Sequence, residues 1–164
     1  HIHKMQLGQE WLILSNIFVW YAVYQKQPSD SLTVYFLDVG QGDAILVRTP
    51  SGEDILIDGG PDNSVIEKIG RALPPGDRDL EMVVLTHPHA DHLVGLLEVL
   101  RRYQVDKVLV GGATHTTAAY REWERLLQEK HIPVVVANRG QTYSFGKTNF
   151  EVLYPFSDHS KHPP

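Results

Sequence analysis

The stretch that most restricts the fold runs from Glu81 to Ala137, where short apolar runs alternate with longer amphipathic ones. "EMVVLT" (81–86), "DKVLVGG" (106–112) and "IPVVVA" (132–137) read as strands, short and almost wholly apolar. Between them, "LVGLLEVLRRYQ" (93–104) and "TTAAYREWERLLQEKH" (116–131) carry apolar residues at helical spacing. A βαβαβ order of this kind crosses over right-handedly and makes the strands parallel. Strands with no polar alternation are expected to be covered on both faces. The first helix should start near Asp91 or His92, and the second at a Thr116 or Thr117 cap.

The preceding residues have a different texture. "LTVYFLDVG" (32–40), "DAILVRTP" (43–50) and "GEDILIDGG" (52–60) are rich in β-formers, with Ser51-Gly52 as a hairpin turn, so an antiparallel meander joins the parallel unit. "NSVIEKIGRAL" (63–73) puts Val65, Ile66, Ile69 and Leu73 on one helical face, with Asn63 or Ser64 as cap and Pro74-Pro75-Gly76 as stop. "QTYSFG" (141–146) and "TNFEVLYP" (148–155) are two further strands. The class is α/β: a sheet with helices on its outer face. At 164 residues, the chain is expected to hold one such domain, from residue 31 to residue 164.

Composition narrows the chemistry. No cysteine is present, so a metal must be held by nitrogen and oxygen, and nine histidines make that feasible. Fifteen Lys and Arg against 20 Asp and Glu leave a formal charge of -5, which argues against purely electrostatic binding of nucleic acid. Arg71, Arg78, Arg101, Arg102 and Lys107 are scattered along the chain and read as solvated surface.

The polar residues gather in one place. "LTHPHADH" (85–92) follows an apolar strand at once, and ligand sites collect beyond the carboxyl ends of parallel strands. In an extended loop His87 and His89 project the same way and can grip one cation. Asp91 and His92, at the start of the next helix, can aim at a second. Imidazole and carboxylate suit zinc, manganese or iron. Pro88 stiffens the loop and biases His87 away from helical geometry. His115 and His131 read as a polar loop residue and a helix-end residue favoured by the dipole. His159 and His162 read as solvated tail residues.

"THPHADH" resembles the signature of the metallo-β-lactamase fold superfamily. With "FLDVGQGDAILV" (36–47) and "ILIDGG" (55–60), the chain is similar to the metallohydrolase domain at the end of ComEC-type competence proteins, the membrane channels of bacterial DNA uptake. The similarity runs from about Leu32 to Pro155. It implies a four-layer αββα sandwich of two similar halves, of which this chain holds the first and the start of the second. It also implies two divalent cations, zinc or manganese, with His87 and His89 on the first and Asp91 and His92 on the second. Asp91 would in addition orient or deprotonate the attacking water. Asp58 matches a buried aspartate that supports the ligand loop from beneath; a turn former before Gly59-Gly60 is the alternative. Asp43 would line the floor of the site or, more simply, start a strand, with Gly40 and Gly42 serving a bend. The family's second-half ligands are a third histidine, a bridging aspartate and a last histidine, and none is identifiable here. Four ligands for two cations leave each under-coordinated.

The implied activity is metal-dependent hydrolysis of phosphodiesters, with a single DNA strand as substrate during uptake. A free-standing hydrolase of a small ester, thioester or lactam is the alternative, and a non-catalytic fragment is a third reading. Trp11–Tyr24, "WLILSNIFVWYAVY", is apolar with aromatics at both ends, as at two membrane interfaces, but shorter than the ~20 residues a spanning helix needs. It reads as the end of a membrane helix, an interfacial anchor, or a helix packed on the domain. "QKQPSD" is its linker. His1 to Lys4 look like a tag remnant or fragment edge, and the abrupt "DHSKHPP" suggests that both ends are cut. The expected partners are therefore DNA, a membrane, the channel portion of a parent protein, and a second copy of this chain across the apolar face left uncovered. The expected location is a bacterial membrane with the domain outside the cytoplasm, or the cytoplasm for the free-standing form.

Overall fold

A computed structural model describes residues 2–25 and 30–154. His159 and His162, expected to be solvated tail residues, lie outside them. Helix α1 (Ile2–Gln25) is followed by β1 (Thr33–Phe36), β2 (Ile45–Arg48) and β3 (Asp54–Ile57), then α2 (Ser64–Ala72), β4 (Asp79–Leu80) and β5 (Met82–Leu85). Next come α3 (Ala90–Arg102), β6 (Gln104–Val105), β7 (Val108–Val110), α4 (Ala118–Glu129) and β8 (Val134–Val136), with β9 (Thr142–Phe145) and β10 (Thr148–Glu151) last.

The central sheet has six strands in the order β1-β2-β3-β5-β7-β8. β1, β2 and β3 pair antiparallel, and β3, β5, β7 and β8 pair parallel, as the alternation of the sequence requires. α2, α3 and α4 cover one face. There Val65, Ile69, Leu93, Leu96, Leu100 and Trp123 bury against strand residues such as Leu56, Val83 and Val108. On the other face Ile55, Met82 and Leu109 meet Phe145 of the β9–β10 hairpin, whose Phe145 and Phe150 rings pack edge to face at 5.6 Å. The apolar face expected to lie open is thus partly roofed by the chain's own hairpin. Two very short strands, β4 and β6, form a separate parallel pair that the sequence pattern does not announce.

Helix ends differ in detail from the sequence expectations. At α2 neither Asn63 nor Ser64 caps through its side chain; Asp62 Oδ1 accepts from Ser64 N–H at 2.8 Å instead. At α4 the cap is Thr117, whose hydroxyl accepts from Tyr120 N–H at 3.2 Å. His131 ends that helix through its backbone. Its φ is +54°, its N–H donates to Gln128 O at 3.1 Å, and the next N–H, of Ile132, donates to Leu127 O at 3.0 Å. That pairing is the left-handed helix stop normally made by glycine. His131→Gly is expected to raise stability by about 1 kcal/mol, the cost of a left-handed non-glycine residue, as read by chemical denaturation.

α1 starts at Ile2, so residues set aside as a tag or fragment edge belong to the same helix as Trp11. Its described side chains are exposed around the helix, Trp11 by 72%, Phe18 by 61% and Trp20 by 70%. Among the described residues no helix is long and apolar enough to cross a membrane.

Candidate metal centre

β3 and β5 lie side by side and parallel, so the loops after them leave the same sheet edge. Asp58 is the first residue beyond β3, and Thr86 the first beyond β5. Asp58 is 2% exposed and has φ +57°, a left-handed conformation that aspartate tolerates better than most residues. Its backbone N–H donates to Val84 O at 2.8 Å, which fixes it against β5. Its carboxylate then takes three hydrogen bonds. Oδ1 accepts from Thr86 N–H at 2.9 Å, and Oδ2 accepts from the Thr86 hydroxyl at 2.6 Å and from His92 Nδ1 at 2.8 Å. The buried carboxylate thus ties the residue after β3 to the residue after β5 and to the first turn of α3.

The hydrogen-bond directions fix the histidine tautomers. Asp58 can only accept, so a neutral His92 carries its proton on Nδ1 and leaves Nε2 as a lone-pair donor. The Thr86 hydroxyl gives its one proton to Asp58, so it accepts from His87 Nδ1 at 3.0 Å, and His87 Nε2 is likewise left free. Carboxylates and hydroxyls behind imidazoles orient them in this way at metal sites.

The loop itself brings the donors together. His89 is the N-cap of α3, extended at φ -78° and ψ 153°, and Asp91 and His92 fall in the first turn of that helix. The His87 and His89 ring centroids are 4.8 Å apart and those of His87 and His92 3.9 Å. Two imidazoles on one tetrahedral ion have centroids about 5 Å apart, given metal–nitrogen bonds of ~2.0–2.1 Å. Asp91 Oδ2 lies 3.6 Å from His92 Nε2, against about 3.4 Å for two donors on one such ion. The spacing of His87 with His89, and of Asp91 with His92, is thus near that of two donors on one ion. The donor chemistry suits zinc or manganese. The donor number is short: among the described residues no three His, Asp or Glu side chains already meet on one ion.

Two features of the site escape pattern reading. Gly59 N–H donates to His92 O at 2.8 Å, and Gly95 N–H donates to Gly60 O at 3.0 Å. α3 thus sits backbone-to-backbone on the loop that carries Asp58, and a Cβ at Gly95 would lie 1.8 Å from Gly59 O. The only sequence signal was a glycine inside a helical run. Gly42, at φ +93°, approaches Asp91 so closely that a Cβ there would lie 1.9 Å from Asp91 O. The "GQGD" stretch is the bend between β1 and β2 that the sequence suggests, and through Gly42 it also lies against the Asp91 segment. Asp43 enters through its backbone, its carbonyl accepting from Gly60 N–H at 3.0 Å, while its side chain is exposed.

His115 lies nearer than a plain loop residue need be. Its ring is 6.3 Å from that of His89 and perpendicular to it. Beside Thr86 an apolar cleft of about 330 Å³ opens, lined by Val84, Leu109, Gly111, Ala137, Leu153 and Tyr154.

A mixed α/β sheet with three helices on one face, and histidines and aspartates gathered where its parallel strands end, defines an α/β domain with a candidate metal centre. The chain belongs to the metallo-beta-lactamase superfamily, whose family pattern matches residues 37–160. No curated protein matches it. Among solved structures it resembles the Rm3 metallo-beta-lactamase, at 22% identity and a TM-score of 0.50 over 77% of this chain and 52% of that one. It also resembles the metallo-beta-lactamase fold protein YhfI from Bacillus subtilis, at 18% identity and a TM-score of 0.49 over 73% of this chain and 51% of that one. At these identities the likeness is one of fold. The chain spans about half the length of both.

Proposed function

We infer that the chain is part of a hydrolase that uses divalent metal ions, typically zinc, as superfamily membership suggests. We propose that this chain carries the metal-binding half of such an enzyme, with His87 and His89 on one cation and Asp91 and His92 on a second. The observation that carries the proposal is the orientation of the imidazoles: Asp58 and Thr86 tie up Nδ1 of His92 and His87 and leave both Nε2 atoms free. When bound, divalent cations supply Lewis acidity toward a scissile ester and a nucleophile at neutral pH. The chain's own residues hold the ligands. Asp58 fixes His92, Thr86 fixes His87, and the half-exposed Asp91 carboxylate is the group open to solvent that can orient the attacking water.

The substrate we propose is a phosphodiester, a single DNA strand, and the setting DNA uptake at a bacterial membrane with the domain outside the cytoplasm. Support comes from the "DVGQGDA" and "IDGG" resemblance to competence proteins and from the apolar, outward-facing α1, which suits an interfacial anchor beside the remaining channel portion of a parent protein. A free-standing hydrolase of a small ester, thioester or lactam is the second reading. The apolar cleft beside Thr86 favours it, because such a cleft suits an uncharged acyl group better than a phosphate backbone.

His89→Ala is expected to remove most of the bound zinc, measured by elemental analysis after dialysis, while leaving the fold intact because His89 is exposed. Unchanged metal content in that variant would refute the assignment. Hydrolysis of single-stranded DNA against that of a nitrophenyl ester, in Mn²⁺ or Zn²⁺, separates the two substrate readings.

A further inference from the structure

We propose that the Gln41 carboxamide holds the substrate at the candidate centre by donating a hydrogen bond to a non-bridging oxygen of its phosphodiester. This inference rests on the phosphodiesterase reading above and adds to it a side chain that touches substrate and no cation. The stretch Asp-Val-Gly-Gln-Gly-Asp (38–43) connects β1 to β2. Its ends are tied, since Leu37 N–H donates to Ala44 O at 2.9 Å. Val39 and Ala44, 6% and 3% exposed, pin it to the core. The bend then leans on both loops of the site. Asp43 O accepts from Gly60 N–H at 3.0 Å, on the loop that carries Asp58. A Cβ at Gly42 would lie 1.9 Å from Asp91 O and 2.9 Å from Asp91 Cβ, so the backbone at 42 touches the residue that bears the solvent-facing carboxylate. Gln41 is one Cα step, about 3.8 Å, from that contact. Gly40 and Gly42 stand at φ +80° and +93°, so the chain bends on either side of Gln41 and leaves it exposed at the tip. Among the described residues the Gln41 carboxamide has no hydrogen-bond partner, so both of its N–H donors are open to a ligand.

The charges around it give such a donor its use. Asp38 and Asp43 on the same bend are exposed carboxylates, and Asp91 follows beyond Gly42. Each repels a phosphate, whereas the carboxamide donates to it and carries no charge. A donor held in place where negative charge builds on the reacting group lowers the barrier as well as favouring binding.

The test uses the zinc-loaded chain and two probes. Binding of diphenyl phosphate is read by titration calorimetry, and hydrolysis of bis(p-nitrophenyl) phosphate gives kcat and KM; Zn²⁺ affinity is read beside them by chelator competition. Gln41→Ala should weaken diphenyl phosphate binding and lower kcat/KM about tenfold or more, the loss of one hydrogen bond to a charged oxygen, with Zn²⁺ affinity within twofold of wild type. Gln41→Glu, of the same size, should lose more because its carboxylate repels the phosphate, and Gln41→Arg should recover the binding. Gln128→Ala, at an exposed glutamine of α4, should change nothing. If Gln41→Ala and Gln41→Glu stay within twofold of wild type on both probes while His89→Ala loses metal, this inference is overturned and the metal-binding reading stands. A wild-type chain that holds Zn²⁺ but not diphenyl phosphate overturns it in the same way. So does a Gln41→Ala chain whose Zn²⁺ affinity falls in step with probe binding, because the bend would then act through the metal loop. A chain that binds diphenyl phosphate without hydrolysing either probe is judged on the binding arm alone. If the wild-type chain takes up no Zn²⁺, both readings fall together.

Discussion

Asp58→Ala is expected to cost about 3 kcal/mol or more of stability in the metal-free chain and to abolish tight zinc binding. The carboxylate is buried and satisfies three donors: the Thr86 N–H, the Thr86 hydroxyl and His92 Nδ1. Alanine leaves them without an acceptor; the orphaned Nδ1 of buried His92 alone costs about 1–3 kcal/mol, and the exposed Thr86 donors, which water can reach, add less. Alanine also tolerates φ +57° less well than aspartate, which adds to the loss. Asp58→Asn separates support of the fold from orientation of the ligand. It keeps one oxygen for Thr86 but presents an amide N–H₂ where His92 needs an acceptor, so His92 loses the partner that sets its tautomer. That variant should melt closer to wild type yet bind zinc about 10–100-fold more weakly. Denaturation of the metal-free proteins and chelator competition read the two effects separately. Wild-type zinc affinity in both variants would show that Asp58 is not a positioning residue.

Gly95→Ala should be worse still for the fold. In an ordinary helix interior this change gains about 1 kcal/mol. Here the new Cβ would sit 1.8 Å from Gly59 O and 2.6 Å from Asp62 O, both backbone atoms that cannot rotate away. α3 would have to lift off the loop that carries Asp58, breaking the Gly59–His92 and Gly95–Gly60 hydrogen bonds and uncovering Leu93 and Leu96. A loss of about 4 kcal/mol or more is expected, seen as loss of a cooperative thermal transition or of soluble protein. Gly70→Ala is the matched control. Gly70 lies in α2 with nothing within 4 Å of its Cβ position, so the propensity gain should appear there undiminished. A stabilised Gly95→Ala would mean that α3 does not sit against that loop.

The two variants mark where local pattern suffices and where it stops. The strands at 81–86, 106–112 and 132–137 and the helices between them were legible because each is a local pattern with its own period. Their parallel pairing followed from the handedness of crossovers. The gathering of His87, His89, Asp91 and His92 was legible because all four lie in one loop and helix start. Capping was less so. His131 was expected to act through its side chain at a helix end, and the structure adds a left-handed backbone there that closes the helix. Thr86 looked like the last residue of a strand, although its hydroxyl links Asp58 to His87.

The sequence by itself determined the α/β class and the sheet edge at which His87, His89, Asp91 and His92 gather, since these depend on neighbours in the chain. Only the tertiary structure decided that Asp58 stands behind His92, 34 residues away, that Gly95 and Gly42 let backbones touch, and that His115 faces His89. Those relations arise where separate segments meet at the sheet edge. No local pattern records a missing Cβ or a shared proton, because both matter only against the atoms that folding brings alongside.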